Sequence, residues 1–312
     1  MRLCRIGPEN TPRAAFYLET QVVPVATAVV AHSQARGTSI HLPTRDDLVP
    51  LLLDPSVREI ATWLGRTPNP PGAIPMAQVE LLVPIPKPPK LFCLAGNYAE
   101  HVAETGGTPA ERAATFPYVF MKPPSTTLLH PNRGVAIPKV APDGVDHEVE
   151  LAVIIGRKGK HIAAADASKH IAGYTIVNDV TQRRYRPNPG RTKREKDVFF
   201  DWLHGKWFDS FCPSGPCAIA AAAVPDAQNL TLELTVNGDV KQKGSTAQMV
   251  FPVGAIIEFI SKMVTLEPGD IISTGTPAGV GAASNTFLKP GDVIKATIQG
   301  IGTLVTPVVA EK

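Results

Sequence analysis

The stretch Asp146-His147-Glu148-Val149-Glu150-Leu151-Ala152-Val153-Ile154-Ile155-Gly156 alternates acids with apolar residues and then runs into an aliphatic block. A period of two marks a β-strand, in which side chains at i and i+2 share one face. Glu148 and Glu150 then project together while Val149 and Leu151 face a core. Their Cα atoms stand about 6.6 Å apart, two rises of ~3.3 Å. Two carboxylates so placed can lean onto one cation. Like charges on a strand entering a sheet are costly unless neutralised, and a hard divalent metal neutralises them. Alone, such a pair is more often a half-exposed strand with a solvated acidic face, so the choice depends on the rest of the chain.

The 312 residues around this strand are 44% hydrophobic and 19% charged, the balance of a globular protein with one large or two modest domains. A net charge of +3 gives no argument for a nucleic-acid partner. Cys4, Cys93, Cys212 and Cys217 are scattered without a C-x-x-C pair, which argues against zinc and for reduced thiols. The first ten residues show no apolar signal-peptide core, and the apolar run Val22–Ala31 is short and interrupted by Pro24. These features predict a cytoplasmic protein without a membrane partner.

Proline density divides the chain. Pro68, Pro70, Pro71 and Pro75 are followed by Pro84, Pro86, Pro88 and Pro89, a stiff connector that excludes helix. We therefore expect a small N-terminal domain over residues 1–80 and a catalytic domain over 81–312. The first unit reads as strands near Phe16–Leu18 and Val22–Val30, then a helix from Asp46 to about Trp63 with Thr44 as N-cap. Downstream, Leu230–Val236 alternates, Asn237-Gly238 supplies a hairpin turn and Val240 begins the return strand. Pro252–Val264 carries an apolar stripe at helical spacing. Pro268-Gly269-Asp270 and Pro290-Gly291-Asp292 are twin turns, each leading into an apolar strand. The predicted class is α+β, dominated by a mixed, largely antiparallel sheet of barrel or roll type.

Four further features bear on chemistry. His101 and Glu104 lie one helical turn apart, where a carboxylate can orient an imidazole as a general base; in isolation the motif is more often a surface ion pair. Gly106-Gly107 gives the segment up to Pro117 the freedom of a lid. The apolar strand from Gly173 ends in Asn178-Asp179, placing an acid at the sheet rim, where an Asx turn is the ordinary alternative. Arg183–Asp197 holds seven basic residues and two acids. It reads as a solvated loop or a flap over an anionic substrate, and without interleaved aromatics it does not point to nucleic acid. Lys206 follows in Trp202-Leu203-His204-Gly205-Lys206.

The ordered set Asn97–Glu104, Phe120–Pro123, Glu148–Gly156, Gly173–Arg183, Gly205–Pro216 and Thr274–Gly281 resembles the fumarylacetoacetate hydrolase superfamily. The resemblance covers residues 84 to about 310. It implies that Glu148, Glu150 and Asp179 form a metal triad for Mg²⁺ (or Mn²⁺), and that His101 and Glu104 are a lid dyad that activates water. It implies that Lys206 reaches the substrate near the metal, and that Arg183, Arg186, Thr246 and Thr276 contact it. Arg186 stands where many members have glutamine and Gly96 where some have arginine, and the basic insertion is longer than in minimal members. The implied reaction is hydrolysis of a C–C bond in an acylpyruvate-like β-diketo acid, by a homodimer acting on a small anionic keto acid. Decarboxylation of oxaloacetate, 2-keto acid isomerisation or hydration are alternatives on the same site, and a catalytically idle ligand-binding relative is a remote one.

Overall fold

A computed structural model describes residues 1–312 except Pro43, Arg45 and Ala110. Ala110 belongs to the expected lid and so lies outside the described residues. The chain opens with β1 (Arg2–Ile6), β2 (Arg13–Leu18) and β3 (Gln21–Pro24). Then come α1 (Val25–Arg36), α2 (Leu48–Leu53), α3 (Pro55–Leu64), β4 (Ile74–Pro75) and β5 (Leu81–Leu82). Next are β6 (Leu91–Ala95), α4 (Ala99–Glu104), β7 (Tyr118–Met121), α5 (Pro124–Thr127), β8 (Leu128–Leu129), β9 (Val135–Ile137) and β10 (Val145–Asp146). The central strands β11 (Val149–Ile155) and β12 (Ile171–Asn178) precede β13 (Thr181–Gln182), α6 (Asp197–His204) and β14 (Cys212–Ala220). The chain closes with β15 (Thr231–Val236), β16 (Asp239–Ser245), α7 (Val253–Met263), β17 (Ile271–Ser273), α8 (Gly281–Ser284), β18 (Val293–Ile298) and β19 (Gly302–Ala310).

The largest sheet runs β4-β3-β2-β1-β14-β12-β11-β17-β6-β7, with β5 added on β1 and β8 on β14. A five-stranded sheet, β16-β15-β18-β19-β9, packs against it. The large sheet is a roll that ends at β4 and β7 without closing into a barrel. β11 sits in its middle, and all seven of its residues are buried. Its odd-numbered side chains (Val149, Leu151, Val153) join a core shared with Leu232, Leu234, Ile294 and α7's Ile256 and Ile260. Ala152 and Ile154 face the opposite core, which α1–α3 cover with Leu51, Leu52, Val57 and Ile60. No helix among the described residues is long and apolar enough to cross a membrane.

Two expected elements differ. The strand expected over Val22–Val30 ends at Pro24, and Val25 begins α1. Val25, Ala28 and His32 are the buried positions, which is helical spacing, and Ala26, Ala28 and Ala31 favour helix. The helix expected from Asp46 to Trp63 is two helices. A proline disfavours helical backbone in the residue before it, so Asp54 is extended (φ −77°, ψ 122°) and caps α3 through Ser56 N at 2.8 Å. Asp47 caps α2, while Thr44 accepts long bonds from Asp46 N at 3.3 Å and Asp47 N at 3.4 Å, ahead of the helix. The hairpin turn has the positive φ at both Asn237 (53°) and Gly238 (93°) that a type I′ turn needs. Gly269 and Gly291 hold the twin turns at φ 90° and 98°.

Candidate active site

The register of the central strands gathers the acids. Val149 pairs with Asn178, and Asp179 N donates to Glu148 O at 2.9 Å, so Glu148 and Asp179 stand opposite each other and share a face. Glu150 lies two residues along on the same face. Ligand oxygens of Glu148, Glu150 and Asp179 all lie within 4.8 Å of one another. All three side chains are buried. β17, on the other side of β11, supplies Ser273 Oγ to Glu150 Oε2 at 2.6 Å, and Gly275 N donates to the same oxygen at 2.8 Å. Glu150 Oε1 has no hydrogen-bond partner among the described residues. Burial, and then the charges of Asp179 and Glu148, push the Glu150 carboxyl well above the usual range.

Cations surround the other two acids. Lys206 Nζ donates to Glu148 Oε2 at 3.0 Å and to Asp179 Oδ2 at 2.7 Å. Burial opposes the Lys206 charge, yet Asp179 and Glu148 outweigh it and raise the pKa. The Arg183 guanidinium bonds Glu148 Oε1 and, at 2.9 Å through Nε, Asp146 Oδ2. Burial likewise resists ionisation of Glu148, but Lys206 and Arg183 prevail and draw its carboxyl down to about 2. Lys122 Nζ, fully enclosed, bonds Asp179 Oδ1 and donates to Val180 O at 2.9 Å and Phe211 O at 2.8 Å. Lys122 lies in the Phe120–Pro123 motif, but nothing in the spacing identified it as the anchor of Asp179.

Above this cluster is a cleft of about 360 Å³, lined among others by His101, Glu148, Arg183, Lys206 and Thr276. His101 Nδ1 meets Glu104 Oε1 at 2.9 Å across one turn of α4, and Glu104 Oε2 accepts from Gly279 N at 2.8 Å. The pair is thus tied to the loop after β17. Asn97 fastens the start of α4: its amide donates to Thr274 O at 2.8 Å and to Phe251 O at 3.1 Å. Thr276 Oγ1 donates to Val149 O and accepts from Gln242, both at 2.8 Å.

The remaining expected residues lie elsewhere. Thr246 is not among the cleft-lining residues; its buried hydroxyl accepts from Leu230 N at 2.8 Å and so serves the five-stranded sheet. Arg186 also lies off the lining, half-exposed and 3.5 Å from Asp201. The far end of the expected lid is pinned, with Phe116 stacked on Phe259 of α7 at 6.0 Å between ring centres. Ser273, Gln242 and Asp146 escaped the sequence reading, because each acts through a partner remote in the chain.

The donor set fits a hard divalent cation. It is all oxygen, it sits at the meeting of three strands, and it leaves Glu150 Oε1 without a protein donor. The chain is 43% identical over 255 residues to Protein Rv2993c of Mycobacterium tuberculosis, covering 81% of this chain and 88% of that one. It is 39% identical over 238 residues to the mitochondrial oxaloacetate tautomerase Fahd2a of Rattus norvegicus, covering 76% and 71%. The structure of maleylpyruvate hydrolase from Sphingobium sp. SYK-6 in complex with manganese(II) and pyruvate superposes with a TM-score of 0.73 at 30% identity, over the whole of both chains. Residues 90–309 match the model of the fumarylacetoacetate (FAA) hydrolase C-terminal domain, and with the acid cluster lying inside that match, the chain belongs to the fumarylacetoacetate hydrolase family of enzymes.

Proposed function

We propose that this protein hydrolyses a C–C bond of an acylpyruvate-like β-diketo acid, releasing a 2-oxo acid and a carboxylic acid. The observation carrying this reading is that His101, oriented by Glu104, and Glu148 of the carboxylate cluster line one cleft. Mg²⁺ or Mn²⁺ held by Glu148, Glu150 and Asp179 would supply Lewis acidity toward the substrate's carboxylate and oxo oxygens. Lys206 holds a fixed positive charge beside the same position, where it stabilises the negative charge that develops on the 2-oxo oxygen as the bond breaks. His101, oriented by Glu104, accepts the proton of the water that adds to the distal carbonyl. The Gly279 amide keeps Glu104 in place during that transfer. The reading extends to a cytoplasmic homodimer: the four cysteines are buried and unpaired, and Val198, Phe199 and Phe200 stand exposed on α6.

The identity to an oxaloacetate tautomerase favours a second reading, keto–enol interconversion of a 2-oxo dicarboxylate. The negative charge on the 2-oxo oxygen is common to both reactions, and the His101–Glu104 pair would then move a proton between carbon and oxygen with no water added. Acetylpyruvate and oxaloacetate, assayed with Mg²⁺ by enol absorbance and product identification, separate the two. Pyruvate plus acetate from acetylpyruvate establishes hydrolysis. Faster enol–keto equilibration of oxaloacetate, with acetylpyruvate left intact, establishes tautomerisation, and release of CO₂ establishes decarboxylation.

A further inference from the structure

The cleft is lined by four acidic or basic groups, two threonines and otherwise apolar residues and glycine. Its acidic and basic side chains, His101, Glu148, Arg183 and Lys206, all belong to the acid cluster or the groups around it. Each of the basic groups already faces an acid: His101 faces Glu104, Lys206 bridges Glu148 and Asp179, and Arg183 bridges Asp146 and Glu148. The other cleft-lining residues carry no charge, and Leu94, Ala95, Val102, Trp202 and Ala282 give them an apolar character. Gly96 contributes no side chain, and its φ of 65° disfavours any other residue. The basic residues between Arg183 and Trp202 are not among the cleft-lining residues: Arg191 and Arg186 hold Asp201, at 2.6 and 3.5 Å, and Arg194 holds Asp197 at 3.1 Å.

Trp202 is the one large flat surface in this lining. Its ring packs edge-on against Phe120 at 5.0 Å and 72°, and at a 39° tilt against Phe199 at 5.9 Å. The Lys206 ammonium lies 5.7 Å from its centre, so the indole borders the position where the reacting end of the substrate sits. A terminal carboxylate brought against this wall would lose its hydration and find no unpaired cation in exchange. An apolar group would exchange water for contact with the ring. A cleft of about 360 Å³ is also near the small end of ligand pockets, which run from about 300 Å³.

We propose that the cleft selects 2-oxo acids whose distal end is uncharged and apolar, and that Trp202 is the specificity-determining residue for that end. The inference rests on the 2-oxo acid reading above and favours a monoanionic acylpyruvate over a dicarboxylate. The test is calorimetric titration of the full-length, Mn²⁺-loaded protein with 5-methyl-2-oxohexanoate and with 2-oxoglutarate, which differ in carrying an isopropyl or a carboxylate group at the far end. The apolar acid is expected to bind at least tenfold more tightly. Trp202→Ala should abolish most of that preference while the Mn²⁺ affinity stays within twofold, and Trp202→Phe should retain it. For turnover, Trp202→Ala should raise KM for a branched acylpyruvate about tenfold more than it raises KM for acetylpyruvate. Equal or tighter binding of 2-oxoglutarate overturns the proposal, as does a Trp202→Ala variant that weakens both acids equally. If neither acid binds while Mn²⁺ does, the 2-oxo acid premise falls and the tail assignment falls with it.

Discussion

Glu148 and Glu150 are two residues apart and are driven in opposite directions. Glu148 has Lys206 and Arg183 against it and is drawn down to about 2, whereas Glu150 has only hydroxyl and amide donors and is pushed up by burial and by its acidic neighbours. A depressed carboxyl contributes stability above its unfolded pKa and loses it as pH falls, so Glu148 should destabilise the fold between about pH 4.3 and about 2. A raised carboxyl does the reverse: the metal-free fold should lose stability as pH climbs above about 4.3 toward the raised value of Glu150. Metal binding must displace the Glu150 proton, so Mn²⁺ affinity should rise with pH until that proton is gone. In Glu150→Gln the pH dependence should flatten, the metal-free protein should melt no lower at neutral pH, and Mn²⁺ stabilisation should vanish. Thermal melts from pH 4 to 9 with and without Mn²⁺ would decide this; an unchanged Mn²⁺ response in the variant would remove Glu150 from the metal site. Lys122 acts one step further out. Lys122→Met leaves Asp179 Oδ1 without its buried partner, and should cost about 10–100-fold in metal affinity. The expected loss of fold stability is about 3–5 kcal/mol, readable by urea denaturation.

The central acidic strand is among the elements that the sequence declares best. The alternation through Glu148–Leu151, the Asn237-Gly238 turn and the apolar stripe of α7 each have a local cause, and each stands where its pattern put it. The departures have local causes too, but weaker ones. Val25–Val30 is rich in β-branched residues, and only its burial spacing reveals α1. The Asp54-Pro55 step divides a helical pattern whose two halves are each apolar on one side. What could not be read is the joining of α4 to the Gly279 loop, since Glu104 and Gly279 are 175 residues apart. Gly279 has φ 102°, and a Cβ there would stand 2.0 Å from the Lys241 carbonyl oxygen. Gly279→Ala must therefore shift the loop and loosen its bond to Glu104. The expected result is a kcat at least tenfold lower with Mn²⁺ affinity within twofold, measured by steady-state kinetics and calorimetry. A variant with unaltered kcat would show that the Gly279 anchor does not orient the dyad.

At the scale of the molecule, the proline-rich connector suggests two units, but the sheet crosses it. β1 lies between β2 and β14, with Arg2 opposite Ile219 and Leu3 opposite Ala218, and β5 returns across the connector to pair with β1. Such a pairing spans more than two hundred residues and leaves no periodic trace near either partner. The consequence is energetic. α1–α3 cover the face of the sheet that carries Ala152, Ile154, Val177 and Ala218, so removing residues 1–80 would strip one side of the core and leave β14 with an open edge toward the lost strands. Exposed apolar area of that kind destabilises by about 25 cal/mol per Å², and an unpaired edge invites association with other chains. Residues 81–312 expressed alone should therefore aggregate or show no cooperative melt. Their recovery as a monodisperse species with a sharp transition and intact Mn²⁺ binding would mean that the N-terminal strands are an appendage to the sheet. The expected failure would make them part of the platform that fixes β12, β11 and, through their register, the spacing of Glu148, Glu150 and Asp179.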